Sequence, residues 1–155
     1  MITITVRRIK MNEKYELLEH IHKDASMATY TLTKLIETLK EKDNKIKGKV
    51  EDILKEYAQY ETKVKAELEK HHIKPTGEGN MAKIMSTMGI KKEVKSDNSD
   101  AAIADMLIKG ISMGSIEMEK KVKDYRDRVD KEQLQLAEDF LKFQQQTIER
   151  LKEYL

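Results

Sequence analysis

The sequence predicts an all-α fold, a four-helix bundle in which a long crossover connects two helical hairpins. Apolar residues recur at three- and four-residue steps along residues 12–42, 45–72, 99–126 and 131–155. Residues 73–97 separate the first pair of stretches from the second. Charged residues make up 37% of the chain and aromatic residues 5%, with nine Met and no Trp, which is typical of long amphipathic helices. Bundles with one long crossover often hold two metal ions between inward carboxylates and histidines.

The first hairpin is predicted from two apolar stripes joined by a turn. Asn12 is the expected N-cap of the first helix, because its side chain accepts a hydrogen bond from a first-turn amide. Asp43 and Asn44 favour the turn between the helices. The first stripe is Leu18, Ile21, Ala25, Ala28, Leu32, Leu35 and Leu39, and the second is Ile46, Val50, Ile53, Tyr57, Tyr60, Val64 and Leu68. Their spacing suits antiparallel packing of the two helices.

The second hairpin follows a crossover that begins at Pro75 and Gly77, two residues that stop a helix. Residues 80–91 contain several Met and Ile residues, and we expect a short amphipathic helix there. The third helix begins with residues 101–108, which are apolar on nearly all sides, so this part is expected to be covered by more than its own bundle. The fourth helix has a stripe of Leu134, Ala137, Leu141, Ile148, Leu151 and Leu155, with Phe140 and Phe143 beside it.

Two glycines stand on one face in the middle of the third helix. Gly110 and Gly114 are four residues apart, and each costs about 1 kcal/mol of helix stability relative to Ala. The favoured explanation is close approach of another helix backbone, from the fourth helix or from a symmetry mate. The alternative is that the glycines make room for a ligand.

The first ten residues read as an isolated strand followed by basic residues. No partner strand is predicted elsewhere, and the codons AGG AGG ATT AAA ATG, which resemble a bacterial ribosome-binding sequence before a start codon, can encode residues 7–11. We hypothesise that Met11 is the physiological start, so that residues 11–155 form one bundle domain. Residues 1–10 would then be a non-native extension; the alternative is a short flexible or strand-like arm. Without them the formal charge falls from +2 to −1.

Composition also limits the compartment and the partners. There is no Cys, which excludes disulfides and thiolate chemistry and fits a reducing cytoplasm. No apolar run is long enough for a spanning helix, so no membrane partner is expected. Lys and Arg alternate with Asp and Glu along every helix at a formal charge of +2, which argues against nucleic acid as a partner.

Several short segments resemble a known family. They are DASM at 24–27, MAKIM at 81–85, GIK at 89–91, ADMLIKGISMG at 104–114 and QTIERLKEYL at 146–155. They resemble an uncharacterised ferritin-like family of Gram-positive (Firmicutes-type) bacteria, and the resemblance covers residues 11–155. Diiron members of the ferritin-like superfamily use one Glu from each of two helices and a Glu-x-x-His from each of the other two. This chain has no His in the middle of its second or fourth helix, so no diiron centre and no cofactor are predicted.

Two Glu-x-x-His patterns nevertheless occur near helix ends. Glu19 and His22 lie near the start of the first helix, and Glu69 and His72 near the end of the second. Antiparallel packing would place both pairs at the same end of the hairpin, where iron or zinc could accept mixed imidazole and carboxylate ligands. The favoured interpretation is that they are solvated residues, with His and Lys complementing the helix dipole.

The function we expect is that of a non-enzymatic, self-associating module without a diiron centre. A homodimer would bury the apolar start of the third helix. The alternative is a stress-related protein that binds iron or zinc through the Glu and His residues just named. A further alternative is that the space between the hairpins takes a small apolar ligand or haem.

Overall fold

The computed structural model describes residues 14–75, 89, 92, 94 and 97–155, which form an all-α four-helix bundle. The helices are α1 (Glu16–Thr38), α2 (Lys47–Lys70), α3 (Asp100–Tyr125) and α4 (Lys131–Leu151), and a 3-10 turn (Lys152–Tyr154) follows α4. The predicted fold class is therefore confirmed. The predictions for residues 1–10, for the Asn12 cap and for most of the short helix at 80–91 lie outside the described residues.

Side-chain contacts at one end of the bundle fix the direction of three helices. The Tyr15 hydroxyl lies 3.3 Å from Nδ1 of His71, which joins the start of α1 to the end of α2. The Tyr125 hydroxyl donates a hydrogen bond to the Glu16 carboxylate, which joins the end of α3 to the start of α1. Both α2 and α3 therefore run antiparallel to α1.

The opposite end of the bundle shows that the crossover is long. Asn44, in the turn before α2, donates hydrogen bonds from Nδ2 to the Asn98 carbonyl at 2.7 Å and to Oδ1 of Asp100 at 3.0 Å. The starts of α2 and α3 are thus neighbours, although α2 ends about 36 Å away at the helical rise of about 1.5 Å per residue. The connection from α2 to α3 consequently leads from one end of the bundle to the other. Val94, within it, is buried in the core.

Capping groups set three of the helix ends. The Ser99 side chain accepts a hydrogen bond from the amide of Ala102, and Asp130 accepts one from Gln133, so α3 and α4 begin close to the predicted positions. At the end of α2, the Ile73 amide donates to the Leu68 carbonyl at 2.9 Å, while His72 adopts a φ of 60°. His72 thus ends the helix in the left-handed conformation, at a position that is usually occupied by glycine.

The predicted core stripes of α1 and α2 are confirmed. Every member is buried except Ala28 and Tyr60, which are half-buried. The predicted stripe of α4 is wrong in register, because Leu134, Leu141 and Ile148 are only half-buried and Leu155 is 64% exposed. The buried face of α4 is instead formed by Gln133, Ala137, Phe140, Phe143, Gln144, Thr147 and Leu151. The two Phe rings occupy the core, and this rotation carries Gln144 and Thr147 inward with them.

Four aromatic rings fill the contact between α2 and α4. Tyr57 lies 4.8 Å from Phe143 and 5.9 Å from Phe140 between ring centroids, and Tyr60 lies 5.2 Å from each of them. Tyr60 is stacked on Phe143, and the other three pairs are edge-to-face. Aromatic pairs in these geometries contribute about 0.5–1.5 kcal/mol beyond the area they bury. None of the helices in the described part of the chain has both the length and the hydropathy of a membrane-spanning segment.

Candidate functional site

A cleft of about 320 Å³ opens between α1 and α3. Its walls are mostly apolar, and small residues on both helices leave the space. On the α1 side it is lined by Asp24, Met27, Ala28, Thr31 and Leu32, on the α3 side by Met106, Leu107, Gly110 and Ile111, and α2 contributes Tyr57. A mostly apolar pocket with a few polar groups is the usual form of a small-molecule site.

Gly110 leaves open space in the wall of this cleft. A Cβ atom placed on Gly110 would meet no atom of the described residues within 4 Å, apart from its own chain neighbours and its own helix backbone. The prediction that α4 approaches Gly110 closely is therefore wrong, whereas the approach of a symmetry mate stays a prediction. The alternative prediction, that the glycine makes room for a ligand, agrees with this geometry.

Gly114, one turn further along α3, permits a close approach of side chains. A Cβ atom there would lie 3.0 Å from Oδ2 of Asp24 and 3.1 Å from Nε2 of Gln144. The close neighbours thus come from α1 and α4, and they are side-chain atoms instead of the predicted α4 backbone. Gly114 makes room for a polar contact that crosses the centre of the bundle.

That polar contact joins three helices near the middle of their length. Nε2 of Gln144 donates a hydrogen bond to Oδ2 of Asp24 at 2.8 Å and lies 3.5 Å from the Tyr57 hydroxyl oxygen. Gln144 is fully buried, and its Oε1 has no hydrogen-bond partner among the described residues. Burial, followed by the charge of Asp24, raises the pKa of Tyr57 above its usual value, so the phenol stays neutral at physiological pH.

Asp24 and Gln144 were not among the predicted site residues. Asp24 lies three residues after Ile21 and directly before Ala25, beside the predicted core stripe of α1. An acidic residue at the edge of an apolar stripe is predicted to be exposed to solvent. The sequence does not show which residue of another helix will face it. Gln144 stands in the middle of α4, where the sequence has no histidine.

The four predicted metal ligands occupy different environments. His22 is buried and Glu19 is half-buried on α1, whereas Glu69 and His72 are exposed at the end of α2. His71 is the histidine that contacts α1, with its ring centroid 4.7 Å from that of Tyr15. In the described ranges, no three His, Asp or Glu side chains come together in a group that could hold a metal ion. The iron or zinc site stays a prediction, and metal analysis of the wild type against a His22→Ala, His72→Ala variant would test it.

The remaining histidine, His20, lies on the α1–α3 side of the bundle. Burial, with a further contribution from Lys121 on α3, lowers the pKa of His20 from 6.5 to about 4. Its Nε2 atom is buried and has no hydrogen-bond partner in the described part of the chain. His20 is therefore neutral at pH 7, and protonating it disfavours the folded state.

Compared with protein families, curated proteins and solved structures, the chain matches none. The class that the coordinates define is an all-α four-helix bundle with one long crossover. The ferritin-like resemblance of the sequence therefore gains no support from relatives. What the protein does has to be argued from its own residues.

Proposed function

We propose that this protein is a non-enzymatic bundle of ferritin-like connectivity that binds a small, largely apolar molecule in the α1–α3 cleft. The observation that carries the proposal is the open space at Gly110. A glycine in the interior of a helix costs about 1 kcal/mol relative to Ala, and no other helix among the described residues comes within 4 Å of a Cβ placed on Gly110. Gly110 thus lowers helix stability and leaves a cleft with apolar walls next to the contact of Asp24, Gln144 and Tyr57. Such a cleft is typical of a binding site.

The chemistry of the lining supports binding over catalysis. Among the described residues that line the cleft, Asp24 is the only charged one, and Tyr57 keeps its proton. General acid–base catalysis commonly uses a second ionisable group with a pKa near the working pH. A lone carboxylate in an apolar cleft is better suited to holding a ligand than to transferring protons.

A blocking substitution tests the proposal. The probe is 1-naphthylmethanol, whose fluorescence reports its binding and whose size fits the cleft. We expect saturable binding to the wild type with a Kd of roughly 10 µM to 1 mM, as befits so small a ligand. Gly110→Leu should bind at least about tenfold more weakly, because its side chain enters the cleft, while the helix gains propensity and the protein stays folded.

Gly48→Leu is the matched control for this experiment. Gly48 is also an exposed helical glycine, and no atom of the described residues outside its own helix lies within 4 Å of an added Cβ, but Gly48 is not among the residues given for the cleft lining. Gly48→Leu should bind the probe as the wild type does. The proposal fails if the wild type shows no saturable binding, or if Gly110→Leu binds as tightly as Gly48→Leu.

Self-association is a second proposed function, and the exposed apolar surface of α3 favours it. Met113 is 72% exposed and Ile116 is 51% exposed. Lys109 and Glu117 lie four residues before and four residues after Met113, and both are exposed. A twofold antiparallel pairing of two α3 helices about Met113 would place Lys109 opposite the partner's Glu117. This charge complementarity favours a second copy of the chain as the occupant.

Light scattering with charge variants tests the homodimer. The wild type should have twice the monomer mass of 18.1 kDa at micromolar concentration, and Met113→Lys, Ile116→Lys should be monomeric. Leu155→Lys, at an exposed apolar residue elsewhere, should stay dimeric. Lys109→Glu should weaken the dimer, and adding Glu117→Lys should restore it. A wild-type monomer throughout the micromolar range would contradict the proposal.

A further inference from the structure

We infer that the cleft selects uncharged ligands with a carbonyl oxygen, which accepts a hydrogen bond from the Tyr57 hydroxyl while the apolar part of the molecule lies between α1 and α3. This inference rests on the proposed function and adds the chemical class of the ligand. It depends on the position of the Tyr57 hydroxyl, on the partner that its oxygen already has and on the other donors of the cleft wall.

The Tyr57 side chain reaches from the aromatic rings of α4 to the polar centre, which is the contact of Asp24, Gln144 and Tyr57. Its ring packs edge-to-face on both Phe rings of α4. Its hydroxyl oxygen lies 3.5 Å from Nε2 of Gln144, and the same nitrogen lies 2.8 Å from Oδ2 of Asp24. Tyr57 and Asp24 both line the cleft, and Tyr57 is only 1% exposed. The hydroxyl is thus a buried group at the boundary of the cleft.

The proton of this hydroxyl has no acceptor among the described residues. Nε2 of Gln144 carries only donors, so the Tyr57 oxygen is the acceptor in that contact. The amide is oriented by Asp24, because an ionised carboxylate accepts from the nitrogen and would repel the amide oxygen. Burial raises the pKa of Tyr57, so the phenol keeps its one proton. A buried donor without an acceptor is unfavourable, and a ligand that brings an acceptor relieves this.

The other side chains of the cleft wall offer no competing donor. The Thr31 hydroxyl donates to the carbonyls of Met27 and Ala28, at 3.0 and 3.2 Å, within its own helix. Asp24 is an acid, and the remaining described residues of the lining are apolar. The Tyr57 hydroxyl is therefore the side-chain donor of the described lining that a ligand can use.

The lining and the size of the cleft favour a small ketone, aldehyde or ester. An ionised ligand would lose hydration against the mostly apolar walls, whereas a carbonyl group needs one donor. A volume of about 320 Å³ lies at the lower end of the range for small-molecule sites. Met27 and Met106 are flexible and adapt to ligands of different shape. A carbonyl compound of about ten non-hydrogen atoms would fit.

Two probes with one ring system test the inference at pH 7. They are 1-indanone, a ketone, and indane, the hydrocarbon that lacks the oxygen. The Kd of each is measured by displacement of 1-naphthylmethanol, whose own Kd is determined for every variant. Tyr57→Phe removes the hydroxyl and keeps the ring. The preference for 1-indanone, which is the Kd of indane divided by that of 1-indanone, should fall about 3- to 10-fold from its wild-type value.

Tyr60→Phe is the matched control. Tyr60 is a half-buried tyrosine of the same helix that contacts the same two Phe rings, but it is not among the residues given for the cleft lining. Tyr60→Phe also removes one hydroxyl from the aromatic cluster, and it should keep the wild-type preference. Thermal unfolding of both variants checks the fold.

The outcomes separate this inference from the proposed function. If the wild type does not bind 1-naphthylmethanol, both fail. If it binds that probe, the inference alone is overturned when 1-indanone does not displace it, when Tyr57→Phe lowers the preference less than about threefold, or when Tyr60→Phe lowers it as much.

A spectroscopic measurement decides if Tyr57→Phe does not fold. The infrared carbonyl stretch of 1-indanone bound to the wild type should lie at lower frequency than in hexane, because a hydrogen bond weakens the C=O bond. A bound frequency equal to that in hexane would overturn the inference.

Discussion

The two sides of the bundle are built differently, although they share one helical framework. On the α2–α4 side, Tyr57, Tyr60 and the two Phe rings of α4 occupy the space between the helices. On the α1–α3 side, Ala28 and Gly110 leave a cleft of about 320 Å³. Clefts also run along the outside of α2 and α4, but they are lined mainly by charged and polar residues such as Glu56, Asp139 and Lys142, whereas the cleft between α1 and α3 is mostly apolar.

The polar centre lies where the two sides meet. Tyr57 contacts the aromatic rings on one side and lines the cleft on the other, and Gln144 reaches across from α4 to Asp24 of α1. A buried hydrogen bond of this kind fixes the relative position of the hairpins, because an unpaired buried group would cost about 1–3 kcal/mol. The cleft is therefore bounded on one side by a hydrogen-bonded polar contact and on the others by mostly apolar side chains.

The largest expected difference between the two sides concerns truncation of large residues. Phe140 is fully buried, and Phe140→Ala should lower the free energy of unfolding by about 3–5 kcal/mol because it leaves a cavity. Met106→Ala, at a half-buried residue of the cleft wall, should cost about 1 kcal/mol or less, because open space is already present. Urea denaturation measures the free energy of unfolding of both variants. Equal decreases for Phe140→Ala and Met106→Ala would contradict the proposed difference between the two sides.

Acid should destabilise the open side through His20. The unfolded His20 takes up a proton as the pH falls through 6.5, but the folded residue does so only near pH 4. The stability that neutral His20 contributes is therefore complete above pH 6.5 and is lost progressively as the pH falls to about 4. Part of the ring meets solvent, so the expected loss is about 1–2 kcal/mol.

Two variants check the origin of this pH dependence. His20→Gln cannot titrate in this range, so its stability between pH 6.5 and 4 should fall less steeply than that of the wild type. Lys121→Gln removes a cation that lowers the His20 pKa and should reduce the loss in part. Denaturation curves at several pH values measure the effect. Parallel pH profiles for the wild type and His20→Gln would show that another group is responsible.

The smallest expected effect separates the two glycines of α3. Gly110→Ala should stabilise the protein by about 1 kcal/mol, because the added methyl group enters open space and Ala favours the helix. Gly114→Ala should be close to neutral, because its methyl group presses on Asp24 and Gln144 and weakens a hydrogen bond worth about 0.5–1.5 kcal/mol. Thermal unfolding measures the stability of both variants. If Gly114→Ala stabilises the protein as much as Gly110→Ala, the added methyl group does not weaken the Asp24–Gln144 hydrogen bond, which would contradict this prediction.

The fold could be predicted from the sequence because helical periodicity is a property of each segment alone. The stripes of α1 and α2 and the starts of α3 and α4 depend on neighbouring residues within one helix. The register of α4 could not be predicted in this way, since its rotation is set by the Phe rings against α2. The long crossover followed from residue spacing, and the contact of Asn44 with Asp100 confirms it.

The candidate site was less accessible to prediction because it is made between helices. The sequence marked Gly110 as unusual, but two explanations remained open until the space around it was known. Asp24 gave no signal of its own, because its partner Gln144 is 120 residues away. The Glu-x-x-His patterns, in contrast, were conspicuous in the sequence, yet Glu69 and His72 are exposed.

A crystal structure of the protein with 1-naphthylmethanol tests the central claim most directly. The ring should lie between α1 and α3, against Met27 and Met106. The α2–α4 side should hold no ligand. A ring bound instead on the outer surface of α3 at Met113 and Ile116, with nothing between α1 and α3, would contradict the account.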